Sequence, residues 1–276
     1  MYYTKISIYI FLLLSVPTMM YANNSSKSCS INYNITTEVL EWSITGIMGA
    51  STIYLNLNNT PWFTNPAIKT GNTNSPLQEE TFPDWSFGIA LPVTLSSIIF
   101  LPNNDGHLNH TSYTNAKGFT ETIVITSLTT QIAKLSIGRK RPDYNDRINK
   151  NYNITDGLYS FWSGHAAMSF SIATYTSLYI MEHVGHWNNY YYITGKVLSS
   201  SILFGMATWT SASRVENNRH YTSDVVVGSI IGSLIAFTIY GIQNEWFFNR
   251  YNHDNKKITR FNFTLQPGII ALSYSY

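Results

Sequence analysis

Apolar residues gather into six runs of helical length, at 39–57, 85–101, 116–137, 165–181, 194–212 and 223–242, separated by polar stretches. None of the six shows the strict alternation of a half-buried strand, so the pattern predicts helices. Between the first two runs lies 58–83, which contains Pro61, Pro66, Gly71, Pro76 and Pro83. Proline removes a backbone donor and clashes with the preceding turn, so this stretch is predicted to be a long loop and a candidate lid. A second polar loop, 143–158, separates the third and fourth runs. A period of two appears only near the C-terminus, where Phe261, Phe263 and Leu265 alternate with Asn262 and Thr264, and 269–276 is rich in β-formers. Two short strands turning at Pro267-Gly268 are expected there, too few to close a barrel. The predicted fold is all-α, a bundle of about six helices with a short β-like tail.

Ahead of the helices, Lys5 precedes the apolar run 6–16, and Met20-Tyr21-Ala22 places a small residue before the polar Asn23-Asn24-Ser25-Ser26. This reads as a secretory signal peptide, although Met20 is larger than the residue usually found there, which leaves an uncleaved N-terminal anchor open. Either sends the rest of the chain across a membrane, to the periplasm or the envelope. The expected organisation is a leader over 1–22, a polar linker over 23–38, one helical domain over 39–245 with a motif-bearing core at 85–242, and a tail over 246–276.

Composition narrows the function classes. With 17 Lys plus Arg against 15 Asp plus Glu there is no concentrated basic face, so nucleic acid is not an expected partner. Charged residues make up only 12% and aromatics 15%, which points to extensive apolar burial. The mean hydropathy of −0.07 is low for a chain built wholly of membrane spans. The stretch 225–242 carries no charge and approaches spanning length, but Glu121 and Lys134 interrupt the third run and Ser and Thr pepper the others. That polarity favours a soluble or peripheral bundle over a polytopic membrane protein. Cys29 has no intrachain partner, so no disulfide framework exists.

Three stretches concentrate unusual residues where polar loops join apolar helices: Lys134 to Pro142, Ser160 to His165, and Ser213 to Asp224. In the third, His220 and Asp224 are four apart, so on a helix the carboxylate can take a hydrogen bond from the ring, fixing its tautomer and leaving the other nitrogen free to attack. A surface ion pair has the same spacing. In the first, Lys134 and Arg141 are seven apart, on one side of a helix that Pro142 ends. Two fixed cations favour a phosphate, though Arg139-Lys140-Arg141 also suits a solvated turn or a membrane-surface anchor. In the second, Ser163 can cap a helix, Gly164 admits close approach to an anion at the free N–H groups, and His165 is placed to donate a proton to a leaving oxygen. A capped helix with a surface histidine looks the same.

Taken together, the three stretches match in order and internal spacing the signature of the type 2 phosphatidic acid phosphatase family: Lys, six residues, Arg-Pro; Ser-Gly-His; Ser-Arg, five residues, His, three residues, Asp. The resemblance spans roughly 85–242. It implies the helical-bundle core that this family shares with vanadium haloperoxidases, with His220 as nucleophile, Asp224 orienting it and His165 protonating the leaving group. It also implies phosphate binding by Lys134, Arg141, Ser163, Gly164 and Arg214, and needs no metal or cofactor. One departure stands out, because the family usually has Pro before Ser-Gly-His and this chain has Trp162.

The expected activity is therefore a metal-independent phosphatase acting on phosphomonoesters or terminal pyrophosphates, most readily of lipids such as phosphatidate, phosphatidylglycerophosphate, polyprenyl diphosphate or lipid A, at a membrane surface. A soluble periplasmic nonspecific acid phosphatase is the alternative, and a vanadium haloperoxidase or an inactive structural envelope protein are more remote. His107 and His110, or Glu182, His183 and His186, have spacings that suggest a metal but lack a convincing further ligand. Asn-x-Ser/Thr triplets such as Asn34-Ile35-Thr36 are explained by Asn richness alone.

Overall fold

The computed structural model describes residues 38–58, 60–62, 71–77, 90–101, 103–106, 108–185, 190–244 and 246, and, as backbone alone, 35–37, 260–266 and 269–275. The leader, most of the Asn-rich linker, His107, His186 and Pro267-Gly268 lie outside the described residues. The elements are α1 (Ile35–Leu57), α2 (Leu91–Phe100), α3 (His110–Ile137), α4 (Tyr144–Asn149), a 3₁₀ turn (Asp156–Leu158), α5 (Gly164–His183), α6 (Tyr190–Glu216) and α7 (Thr222–Gln243), then β1 (Arg260–Gln266) and β2 (Ile269–Ser275). The two strands pair antiparallel with Phe263 opposite Leu272. The all-α bundle expected from the six apolar runs is the fold observed.

Three departures have local causes. Helix α3 begins six residues before its apolar run, because the Asn109 side chain caps it by accepting from the Ser112 N–H at 2.9 Å. The same helix stops at Gly138, whose φ of 59° is left-handed, so Arg141 is not on the helix of Lys134 but beyond it. The polar loop 143–158 contains the short α4, which no periodicity announces.

Helices α3, α5 and α7 form the centre. Tyr175 of α5 is fully buried, its ring edge-on to Phe119 of α3 and Tyr240 of α7 at centroid distances of 5.6 and 5.2 Å, and its hydroxyl donates to the Asn115 carbonyl at 3.0 Å. The approach of α7 to α5 requires glycine: a Cβ on Gly232 would fall 1.9 Å from the Ala167 carbonyl oxygen, and one on Gly228 2.6 Å from that of Ser163. Of the two charges that weakened the third run as a membrane span, half-buried Glu121 accepts from Gln243 Nε2 at 2.7 Å and Lys134 lies in the last turn of α3. A third charge in that run, Lys117, is buried and ion-paired to Glu38 and Glu41 of α1.

The outer surface is different. Leu40, Ile44 and Ile47 of α1, Leu198, Ile202, Met206 and Trp209 of α6, and Val226, Ile230, Leu234 and Phe237 of α7 are all exposed at helical spacing. Helix α7 is long and apolar enough to cross a membrane, and only a third of its most apolar stretch is buried. A soluble bundle turns such rows inward, so these surfaces run against the expectation of one. The C-terminal ends of α3 and α6 and the N-terminal ends of α5 and α7 meet at one end of the bundle, and the three motif stretches lie there.

Candidate active site

Each motif stretch is held by hydrogen bonds from another. The Ser160 N–H donates to the Arg139 carbonyl at 2.9 Å and the Arg141 N–H to the Gly157 carbonyl at 2.8 Å, which ties the second stretch to the first. The Ser163 N–H donates to the Asp224 carbonyl at 3.0 Å, which ties it to the third. Ser163 is the N-cap of α5, and its hydroxyl accepts from the Ala166 N–H. His165 follows in the first turn, half-buried. Gly164 lies against the first stretch: a Cβ there would stand 3.6 Å from Lys134 Nζ and 3.2 Å from Thr130 Cγ2. Trp162, in the place of the usual proline, donates from its indole to Thr130 Oγ1 at 3.0 Å, one turn before Lys134.

His220 is buried, and its N–H and that of Arg219 both donate to the Arg214 carbonyl at the end of α6, at 3.2 and 3.0 Å. Arg214 itself is buried in that last turn. His220 Nδ1 lies 2.7 Å from the Ser160 carbonyl oxygen. A carbonyl only accepts, so Nδ1 carries the proton and Nε2 keeps its lone pair. Burial holds the ring below the ordinary imidazole range, and the charges of Arg141 and Lys134 push the same way. Asp224 opposes this shift without reversing it, so the neutral ring with its proton on Nδ1 is favoured over the imidazolium.

The expected ring–carboxylate bond is not what holds His220. Helix α7 begins at Thr222, so His220 precedes it, and Asp224 Oδ2 stands 3.9 Å from Nδ1, too far for a hydrogen bond. Asp224, fully buried, instead accepts from the Tyr221 N–H at 3.1 Å and from the Ser160 hydroxyl, and pairs with Arg139.

Beside His220 the cations are fixed by carboxylates that spacing does not reveal. Arg141 Nη2 meets Asp156 Oδ1 at 2.9 Å, Asp156 Oδ2 meets Arg147 at 3.2 Å, and Arg147 pairs with Asp143 at 2.9 Å. Burial opposes charge on Asp156, but Arg141, Lys134 and Arg147 hold its carboxyl below the usual range. The buried Nε of Arg141 has no partner among the described residues, a donor suited to an anion. The 71–77 part of the candidate lid straps over the same end: the Ser75 N–H donates to the Pro142 carbonyl at 3.0 Å, Leu77 N–H to Asp146 at 2.7 Å, and Tyr221 Oη to the Asn72 carbonyl at 3.3 Å. Among the described residues no group of three or more His, Cys, Asp or Glu side chains could hold a metal. His183 Nε2 bonds Asn244 Oδ1 at 3.0 Å, and Glu182 accepts from Tyr240 Oη at 2.9 Å.

Residues 116–248, which carry all three stretches, match the PAP2 superfamily. That segment belongs to the superfamily, the type 2 phosphatidic acid phosphatases. Among curated proteins, the chain is 29% identical over 183 residues to a PA-phosphatase related-family protein of Dictyostelium discoideum, covering 63% of this chain and 65% of that one. It is 26% identical over 201 residues to lipid phosphate phosphatase 1 of Arabidopsis thaliana, 65% of this chain and 59% of the relative. With the lipid A 1-phosphatase of Porphyromonas gingivalis the identity is 31% over 140 residues, 51% of this chain and 26% of the relative. The matched segments thus cover less than two thirds of each of these relatives. No solved structure matches.

What sequence reasoning missed in this PAP2 site are Arg139, Ser160 and Asp156. All three lie inside or between the motif stretches, but Arg139 and Ser160 meet Asp224 from 85 and 64 residues away and Asp156 meets Arg141 across an irregular loop, so only the fold brings them together.

Proposed function

We propose that the protein is a lipid-phosphate phosphatase that hydrolyses phosphomonoesters or terminal pyrophosphates through a phosphohistidine on His220. The observation that carries this reading is the pairing of His220 Nδ1 with a carbonyl acceptor beside a set of buried cations, since a neutral imidazole with a free Nε2 next to Lys134 and Arg141 suits attack on phosphorus. Nε2 forms a bond to phosphorus in line with the leaving oxygen, which takes a proton from His165. Water, deprotonated by the same histidine, then cleaves the phosphorus–nitrogen bond and returns the phosphate. Lys134, Arg141, Arg214 and the N–H groups at Ser163 and Gly164 stabilise the charge on the equatorial oxygens. No step calls on a metal.

The lipid reading is favoured over a soluble acid phosphatase by the exposed apolar rows of α1, α6 and α7, which suit a bundle set in a membrane with its catalytic end at one interface. The relatives named as lipid phosphate phosphatases and a lipid A phosphatase agree with that substrate class. Export and an active site facing away from the cytoplasm belong to the same proposal. The test is phosphate release, with EDTA present, from an aryl phosphate and a short-chain phosphatidic acid. Release from the lipid that His220→Ala abolishes, in a protein that still folds, supports the mechanism. Full activity in that variant, or dependence on added metal, refutes it, and release from the aryl phosphate alone points to the soluble class.

A further inference from the structure

Asp224, Arg139 and Ser160 form a closed set. Arg139 Nη1 pairs with one oxygen of Asp224 and reaches Ser223 Oγ at 2.9 Å, while its guanidinium lies 4.2 Å above the Tyr221 ring. The other oxygen of Asp224 accepts the Ser160 hydroxyl and the Tyr221 N–H. The circuit returns to Arg139 through the Ser160 N–H on its carbonyl. Ser160 is fully buried, and its own carbonyl is the acceptor that fixes the His220 ring.

We propose that Arg139 and Ser160 are positioning residues for His220: Arg139 clamps Asp224, Asp224 clamps Ser160, and the Ser160 carbonyl sets the tautomer and aim of the nucleophile. Buried carboxylates are costly without charged or hydrogen-bonding partners, so Arg139 acts together with the Ser160 hydroxyl and the Tyr221 N–H to hold Asp224 ionised and in place. The spare basic residue of the first stretch is thereby separated in role from Lys134 and Arg141, since its Nη1 is taken up by Asp224 and Ser223. The orienting carboxylate works at one remove, through a backbone oxygen, and removing Arg139 or the Ser160 hydroxyl loosens the same oxygen.

The proposal rests on His220 being the nucleophile, and its test keeps the two apart. The full chain in detergent micelles is assayed for kcat and for inhibition by inorganic phosphate, in wild type, Arg139→Gln, Arg139→Lys and Ser160→Ala. The His220 ring nitrogens are followed in parallel by ¹⁵N NMR, assigned by their loss in His220→Ala. Expected is a fall in kcat of about tenfold to a hundredfold in Arg139→Gln and Ser160→Ala. The phosphate inhibition constant stays within about twofold, and Arg139→Lys recovers part of the rate. The double variant loses no more than the worse single one, because both act on one path. The ring signals move from the Nδ1–H tautomer toward a mixture. Phosphate inhibition weakened about tenfold at unchanged kcat makes Arg139 a phosphate ligand and overturns the proposal. So do an unchanged kcat and an unchanged tautomer. A wild type without activity refutes the phosphatase reading instead, and the NMR shift alone then decides the positioning role. If Arg139→Gln fails to fold, Ser160→Ala, which removes a single hydroxyl, decides.

Discussion

At the scale of single residues, His220 couples the site to stability. Its ring is buried and held below the ordinary imidazole range, so the folded protein refuses a proton that the unfolded chain accepts at about pH 6.5. The unfolded state then binds more protons, and stability falls as pH drops below that value, by up to about 1.4 kcal/mol per pH unit for one such group. Denaturant unfolding of wild type and His220→Gln between pH 7 and pH 5 checks this: the variant is expected to lose less stability over the interval, and equal slopes refute it. The grouping of this histidine with Lys134, Arg141, Ser163, Gly164 and Arg214 was legible from the family signature that the three stretches make together, because each motif is local in sequence, and the fold brings the stretches to one end of the bundle. What holds the ring was not. A spacing of four from His220 to Asp224 suggests a shared helical face, but the helix starts between them, and the acceptor is a backbone oxygen sixty residues away. Backbone carbonyls carry no sequence signal, so no reading of residue types alone names Ser160.

At the scale of elements, the site is set by how closely α5 and α7 pack. Gly228 and Gly232 let α7 lie against the first two turns of α5, and that contact brings the Asp224 carbonyl to the Ser163 N–H. Gly232→Ala puts a methyl 1.9 Å from the Ala167 carbonyl oxygen, a backbone atom that cannot swing away. Overpacking of this kind costs about 1–3 kcal/mol or more, here as separation of the two helices. The expected outcome is a lower unfolding midpoint together with loss of phosphatase activity, whereas Gly205→Ala on the open face of α6, where a Cβ meets nothing within 4 Å, changes neither. A Gly232→Ala protein as stable and active as wild type would refute this account of the packing. Among the described residues, the six helices of ten residues or more were legible as apolar runs. Their ends shifted where a polar cap or a left-handed glycine decided the boundary, as at Asn109 and Gly138. The short α4 was hidden because its buried residue is Arg147, whose partners Asp143 and Asp156 replace the apolar contact that periodicity detects.

At the scale of the molecule, the bundle keeps an apolar centre around Phe119, Ile172, Tyr175 and Tyr240 but departs from a soluble one in where its other polar and apolar residues lie. Buried threonines, Lys117 and the arginine network occupy the interior and the catalytic end, while Val226, Ile230, Leu234 and Phe237 present one continuous apolar row outward. Average hydropathy hid this, because the inward polar residues cancel the outward apolar ones in any whole-chain mean. The side on which each residue falls is a property of the fold. If the row faces lipid, a charge placed in it must be carried into hydrocarbon, at about 2.5–3.5 kcal/mol for an arginine near the centre of a span. Leu234→Arg sits midway along α7 and is exposed, so it removes no core contact. In a membrane-set bundle this variant is expected to lower the fraction of protein that floats with vesicles and to reduce the yield of folded enzyme, while Leu234→Met leaves both unchanged. In a soluble bundle the same substitution improves solubility and leaves phosphate release intact. Flotation of the two variants beside wild type separates these cases, and a Leu234→Arg protein that remains active in the aqueous fraction would refute the membrane placement while leaving the chemistry at His220 untouched.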